Sequence, residues 1–314
     1  MSVKESQTQL FNQETHYVLF SGTGKDGNGP IRHLNDLFII LYLLNKNQIP
    51  KENIFLSIDV NILSDLDEIT NYKTFKYFDN GEKTFKEVIT QYVAPSNIIN
   101  IFDFKEKYDR NGNDLIFIAS GHGSISGLEM GDEKCYDTLS SDYFEEISTD
   151  SNKTILIMSQ CQAAAFHHLD TRKNICVLGA SDYQSSVSLN LKSMLNYDIP
   201  SHKDFIDSFT FKENIPINPF IFSFFYVLTQ KDKLIISDRK HLINVFKYTA
   251  ASTLDYLSKS GKRDIHISKK DLENIKEDTL VLSFNERILI QQPFLLNKII
   301  LTNENTINGV FCFR

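Results

Sequence analysis

The sequence predicts an α/β protein in which helices cover a mostly parallel sheet. Three observations predict it. Five short apolar runs, at 17–22, 54–58, 115–120, 154–159 and 175–180, recur through the first part of the chain. The stretches between them are of crossover length, and several carry a helical pattern, as parallel strands require. The runs are nearly continuous in apolarity rather than alternating, which marks strands buried on both faces.

The first run, YVLFSG, is followed by a glycine-rich turn and then by IRHLNDLFIILYLLNKNQI, long enough for a crossover helix and apolar on most sides. Such a helix is expected to pack deeply, and Pro50 to end it. IFLSI forms the second strand. The segment 61–81, rich in Asp, Asn and Thr, reads as an exposed loop. KTFKEVITQYV then offers Thr84 and Glu87 at capping-box spacing, and a second short helix is expected after Ser96. LIFIAS, TILIMS and ICVLGA supply the remaining strands of this part. Further on, NPFIFSFFYVL reads as a core helix or strand, and 238–261 as a helix with Asp238 as N-cap and Gly261 as stop. TLVLSF and GVFCF are candidate late strands. The region after Asp182 is expected to complete the same sheet rather than to form a separate domain.

Composition narrows the function classes. The chain has 314 residues, is 41% hydrophobic and 23% charged, and carries a formal net charge of -7. A sizeable core is available. The acidic balance argues against a general nucleic-acid or anionic-membrane surface, since phosphate binding needs a positive field. The start, MSVKESQTQL, lacks the apolar stretch of a secretory signal, and the most apolar segment is far shorter than the roughly 20 residues that cross a bilayer. The expectation is a cytoplasmic protein without membrane or nucleic-acid partners. Cys135, Cys161, Cys176 and Cys312 form no CxxC pair, so neither a disulfide framework nor a zinc site is expected.

Two of the runs deliver chemistry. LIFIAS ends in Gly121-His122-Gly123, and TILIMS ends in Ser159-Gln160-Cys161. Functional groups gather at the carboxyl edge of an open α/β sheet. If these strands are neighbours, an imidazole and a thiol project into one crevice, the arrangement a cysteine nucleophile requires. The alanine-rich stretch after Cys161 favours helix, which would put the thiol at a helix N-terminus and lower its pKa. The glycines permit close approach of a substrate, and the N–H groups of Gly123 and Cys161 are candidate oxyanion donors. The plain alternative is a solvated loop histidine and an inert core cysteine.

The same residues carry a resemblance. A strand, His-Gly-Ser, one crossover unit, a strand and Cys resembles the caspase-like cysteine peptidases, and within them the legumain-like family. Arg32, His33 and Asp36 with QIPKENI resemble that family's Arg-His-x-x-Asp helix start and its entry to the second strand. HGSISG resembles its His-Gly-Ser-x-Gly, ILIMSQCQAAAF its nucleophile strand, and NICVLGASDYQSS the strand beside its substrate pocket.

The resemblance implies a caspase-like three-layer αβα sandwich with a mostly parallel central sheet. It implies one domain over 1–314, with a catalytic core of about 14–190 and a C-terminal part, 191–314, that completes the sheet and offers a surface to a regulator. It implies a cysteine endopeptidase, with Cys161 as nucleophile, His122 as acid and base, and Arg32 holding the residue before the scissile bond. His33, Ser159, Asp182, Ser185 and Ser186 would line the substrate site. No metal or organic cofactor is implied. The partners are a protein or peptide substrate and an activating protein or a second copy.

Two positions depart from the family. Ser159 stands where legumain-like sequences place an acid and caspases a glutamine, which shifts the expected preference toward Asp over Asn by charge matching, with Asp182 as the acid that would restore the balance. Pro30 stands where an asparagine often precedes the arginine. A transpeptidase or ligase of the same family, and a non-catalytic binding module on the same scaffold, are the alternatives.

Other motifs have plainer readings. His167, His168 and Asp170 are metal-capable but read as a solvated helix end. GTGKDGNG lacks the Gly-Lys-Ser/Thr ending of a phosphate loop and reads as a mobile rim loop. The basic stretch 259–270 reads as a solvated surface. His33 and Asp36, three apart on one helix, are expected to make an ordinary surface contact.

Overall fold

The computed structural model describes residues 13–22, 30–58, 76–77, 85–108, 113–131, 137–149, 151–163, 165–166, 169, 174–180, 189–190, 209–210, 216–222, 224 and 294–296. The expected fold class is the observed one: a six-stranded sheet, five strands of it parallel, with helices packed on its two faces. Strand β1 (His16–Ser21) leads into helix α1 (Pro30–Lys46), which returns the chain to β2 (Ile54–Ile58). A two-residue strand β3 (Lys76–Tyr77) precedes helices α2 (Phe85–Tyr92) and α3 (Ile101–Lys107). Strand β4 (Leu115–Ser120) follows, and then the small strands β5 (Gly123–Ser124), β6 (Gly127–Met130) and β7 (Asp137–Leu139). Helix α4 (Ser141–Ser148) crosses to β8 (Thr154–Met158), and β9 (Ile175–Gly179) comes next. The later strands are β10 (Leu189–Asn190), β11 (Phe209–Thr210), β12 (Pro216–Ile217) and β13 (Phe294–Leu296).

The central order is β13-β9-β8-β4-β1-β2, with β13 alone antiparallel. All five parallel strands lie in apolar runs read from the sequence. Their residues are buried on both sides, with only His16 intermediate, which accounts for the missing alternation. The outer edge at β2 is closed by the segment 95–99: Ile99 N–H donates to Leu56 O at 3.0 Å, and Asn97 Nδ2 to Ile54 O at 3.3 Å. Covering an edge in this way removes a surface that would otherwise pair with another chain.

The two faces differ. Val18, Phe20, Phe117, Leu156, Met158 and Val177 point to one face and pack with Ile101 and Phe104 of α3 and Phe144 and Ile147 of α4. Ile116, Ile118 and Ser120 alternate with Leu115, Phe117 and Ala119, so they point to the other, where α1 lies against β1 and β4. Helix α1 buries Leu34, Leu37, Phe38, Ile39, Ile40, Leu41, Leu43 and Leu44, residues that circle its axis. One side meets the sheet and another meets β12, so a helix apolar all round is buried all round. Its end is set before Pro50: Gln48 takes a left-handed φ of 58°, and Ile49 N–H reaches back to Leu44 O at 3.0 Å.

Several expectations move. The short helix expected after Ser96 begins at Ile101, because Asn100 caps it by accepting the Phe102 N–H at 3.0 Å, and residues 95–97 form a separate 3₁₀ turn. Within the expected loop 61–81, Lys76–Tyr77 pair with β11. NPFIFSFFYVL contributes a helical turn at 219–222, started by Asn218, whose Oδ1 accepts the Phe220 N–H at 2.9 Å with Pro219 at the first position. Thr84, the glycine-rich segment 23–29, the helix 238–261, the basic stretch and the two candidate late strands lie outside the described residues.

Candidate active site

Strands β4 and β8 are direct parallel neighbours, with Ala119 opposite Met158. His122 and Cys161 each lie three residues beyond that pair, at the same level of the carboxyl edge. Past the last ladder position the segments remain joined, since Ser159 donates both its N–H (3.1 Å) and its hydroxyl (2.8 Å) to Ala119 O. The next contact is tighter. A Cβ added to Gly123 would sit 2.4 Å from Cys161 O and 2.3 Å from Gln160 Cγ. The residue after the histidine therefore abuts the backbone of the cysteine, an approach only glycine allows.

A hairpin fixes the histidine from the other side. Strands β5 and β6 pair antiparallel through a two-residue turn at Ile125 and Ser126, and Glu129 N–H donates to His122 O at 2.9 Å. Gly127 takes a φ of 138°, and a Cβ there would lie 2.3 Å from Leu139 O. HGSISG is thus a backbone device: two glycines let the hairpin fold tightly against its neighbours, and Ile125 is left exposed at its tip.

The cysteine segment differs from its expectation. Residues 161–166, where described, are turn and 3₁₀ rather than an α-helical N-terminus, and Gln162 lies at a left-handed φ of 51°. That torsion interrupts helical geometry immediately after Cys161, so the alanine run does not aim an α-helix dipole at the thiol. Cys161 is partly exposed, whereas Cys176, on β9, is a buried core residue.

Helix α1 brings a second histidine to the site. The ring of His33 meets that of His122 edge to face, with centroids 5.3 Å apart. His33 and Asp36 do not make the surface contact their spacing suggests. Both are buried, and the hydroxyl of Ser120 links them: it donates to Asp36 Oδ2 at 2.6 Å, and its oxygen lies 3.0 Å from His33 Nδ1. A hydroxyl has one proton, so His33 Nδ1–H is the donor in the second bond. Asp36 Oδ1 accepts the Asn218 N–H at 2.8 Å, and Asn218 Nδ2 donates to Ser159 O at 3.0 Å. A buried carboxylate survives only with such donors. The surface reading failed because β12 and the turn after it cover the side of α1 that would otherwise face water.

His122, Gly123, Cys161, His33 and Ser159 are thus gathered at one edge. Ser159 is buried and gives its hydroxyl to the protein backbone rather than to a crevice. Arg32 lies in the first turn of α1, and its side chain is outside the described residues, as are Asp182, Ser185 and Ser186. Ser120 and Asn218 are the participants that sequence reasoning missed, and Asp36 is one it placed at the surface. The available signal was Asp36 itself, a carboxylate in a helix otherwise apolar on most sides. Among the described residues no group of three or more His, Cys, Asp or Glu side chains is placed to hold a metal, and no helix is long and apolar enough to cross a membrane.

Among solved structures, the chain aligns with caspase-1 from Spodoptera frugiperda at 10% identity and a TM-score of 0.41, over 94% of each chain. No protein-family model and no curated protein matches the sequence. Strand order and parallel pairing define the class independently: an α/β sandwich around a mostly parallel sheet.

Proposed function

We propose that this chain is a cysteine endopeptidase in which Cys161 is the nucleophile and His122 its proton partner. The observation that carries the reading is the register of β4 and β8, which brings the residues three beyond Ala119 and Met158 to adjacent positions, with Gly123 against Cys161. In the reaction, the Cys161 sulfur attacks the peptide carbonyl carbon while His122 holds the thiol proton. His122 passes that proton to the departing amine as the C–N bond breaks, leaving a thioester. Water then attacks the thioester carbonyl, gives a proton to His122, and the returning thiol takes it back as the acid leaves. The N–H groups of Gly123 and Cys161 are assigned to the developing oxyanion.

For specificity, the legumain-like spacing of Arg32 in this sequence supports cleavage after an acidic or amide residue. Ser159 in place of a carboxylate leaves the Arg32 charge to favour Asp over Asn, and Asp182, the remaining acid proposed for the pocket, opposes that preference. Asp182, Ser185 and Ser186 are proposed as its remaining walls.

The test uses reporter peptides ending in Asp, Asn, Arg and Lys with the wild type and Cys161→Ala. The wild type is expected to release reporter after Asp and then Asn, and the variant to keep its fold while losing turnover. Turnover retained in Cys161→Ala would refute the nucleophile, and preference for Arg or Lys would refute the pocket.

A further inference from the structure

The two oxygens of one buried carboxylate lead to the two halves of the proposed dyad. Asp36 Oδ2 takes the Ser120 hydroxyl proton, Ser120 Oγ takes the His33 Nδ1 proton, and the His33 ring braces the His122 ring. Asp36 Oδ1 takes the Asn218 N–H, and the Asn218 amide holds Ser159 O, two residues before Cys161. Ser120 itself lies two residues before His122. We propose that Asp36 is a positioning residue: a common anchor that fixes the ends of β4 and β8 relative to each other and so sets the imidazole against the thiol.

The chemistry supports a role beyond packing. An apolar residue at position 36 would fit a helix that buries leucine, isoleucine and phenylalanine on every side, and a buried carboxylate is costly to keep. What the carboxylate adds is direction. As an acceptor only, it forces the Ser120 proton toward itself, which makes Ser120 accept from His33 and sets the His33 tautomer with Nδ1 protonated. The ring of His33 is thereby held in one orientation beneath His122. On the other arm, the same carboxylate orients the residue that caps the 219–222 turn, and through it a segment distant in sequence becomes a support for the nucleophile strand. A displacement of either strand end by a fraction of an ångström would misalign proton transfer, and reaction geometry is sensitive on that scale.

The inference rests on the peptidase reading, and thiol alkylation separates the two. The rate at which iodoacetamide modifies Cys161 is followed against pH by mass spectrometry of the Cys161 peptide, in the full chain, for the wild type, His122→Ala, Asp36→Asn, Ser120→Ala and Asn218→Ala. Wild-type alkylation is expected to be faster than that of His122→Ala, because His122 takes the thiol proton. Asp36→Asn keeps the shape but places an N–H₂ group where an acceptor is required. It should move the profile toward that of His122→Ala and lower kcat/KM about tenfold to a hundredfold. Ser120→Ala, which severs the His122 arm alone and removes no charge, should shift the profile in the same direction. Asn218→Ala should lower kcat with KM little changed. A purely structural role would lower the melting temperature of these variants and leave the alkylation profile in place. Asp36→Asn and Ser120→Ala profiles that superimpose on the wild type would therefore overturn the anchor while leaving the dyad standing. A wild-type profile coincident with that of His122→Ala would instead overturn the dyad, and the anchor with it.

Discussion

The two faces of the central sheet are built from alternate residues of the same strands, yet they do different work. On the face covered by α3 and α4, Phe117, Phe144 and Phe166 form a run of edge-to-face rings, with centroids 4.9 and 5.1 Å apart, and Phe20 stacks on Phe117. On the face covered by α1, the apolar residues of β4 give way at Ser120 to the bonded group of Asp36, His33 and Asn218. The difference is a division of labour along one strand. Leu115, Phe117 and Ala119 anchor the sheet through non-directional burial, and Ser120 begins a set of directional bonds that orient the segment carrying His122.

The division can be broken most severely on the aromatic face. Phe144 touches Phe117, Tyr143 and Phe166 and is fully buried. Phe144→Ala is expected to cost about 3–5 kcal/mol, from lost burial plus the cavity left behind. Urea unfolding measures this, and the folded fraction should keep the wild-type Cys161 alkylation profile. A shifted profile at native folded fraction would show that the two faces are not separable.

The next effect belongs to the backbone contact. In Gly123→Ala the new methyl would meet Cys161 O and the Gln160 side chain at less than 3.0 Å, so one of the two segments must move. The expected stability loss is about 1–3 kcal/mol, smaller than for Phe144→Ala, while peptide turnover falls by about a hundredfold or more. Retention of full turnover in Gly123→Ala would mean that the close approach of the two segments has no part in the chemistry.

These two positions also show what the sequence made legible. Phe117 sits in a run whose continuous apolarity announces burial on both faces, so the strand and its parallel setting follow from the pattern. The glycines around His122 announce a backbone requirement, and the structure supplies it as the approach of Gly123 to Cys161. Asp36 was misread because spacing within a helix says which residues neighbour one another, not whether a later segment covers them. That cover, residues 217–222, lies 182 positions from Asp36 at the Asn218 contact. The break after Cys161 was equally hidden. Alanine-rich composition favours helix, and the left-handed torsion at Gln162 is a non-glycine departure that no local propensity announces.

The smallest effect sharpens the comparison at the opposite edge of the sheet. Asp114 lies just before β4, at the amino edge, where its Oδ1 accepts from Asn152 Nδ2 at 2.9 Å. Burial raises its pKa, outweighing the nearby Lys153 charge and the Asn152 hydrogen bond, both of which lower it. A folded pKa above the unfolded value means that the native state holds this proton more tightly. The group's contribution is therefore fully present below the ordinary aspartate range and is lost as pH rises through the raised value. Asp114→Asn keeps an acceptor for Asn152 without the charge. It should leave neutral-pH stability within about 0.5 kcal/mol of wild type, on the favourable side, and flatten the acid end of the melting-temperature profile. Because this edge lies a full strand length from His122 and Cys161, the alkylation profile of Cys161 should not change. A steeper loss of stability in Asp114→Asn as pH rises would reverse the sign assigned to Asp114.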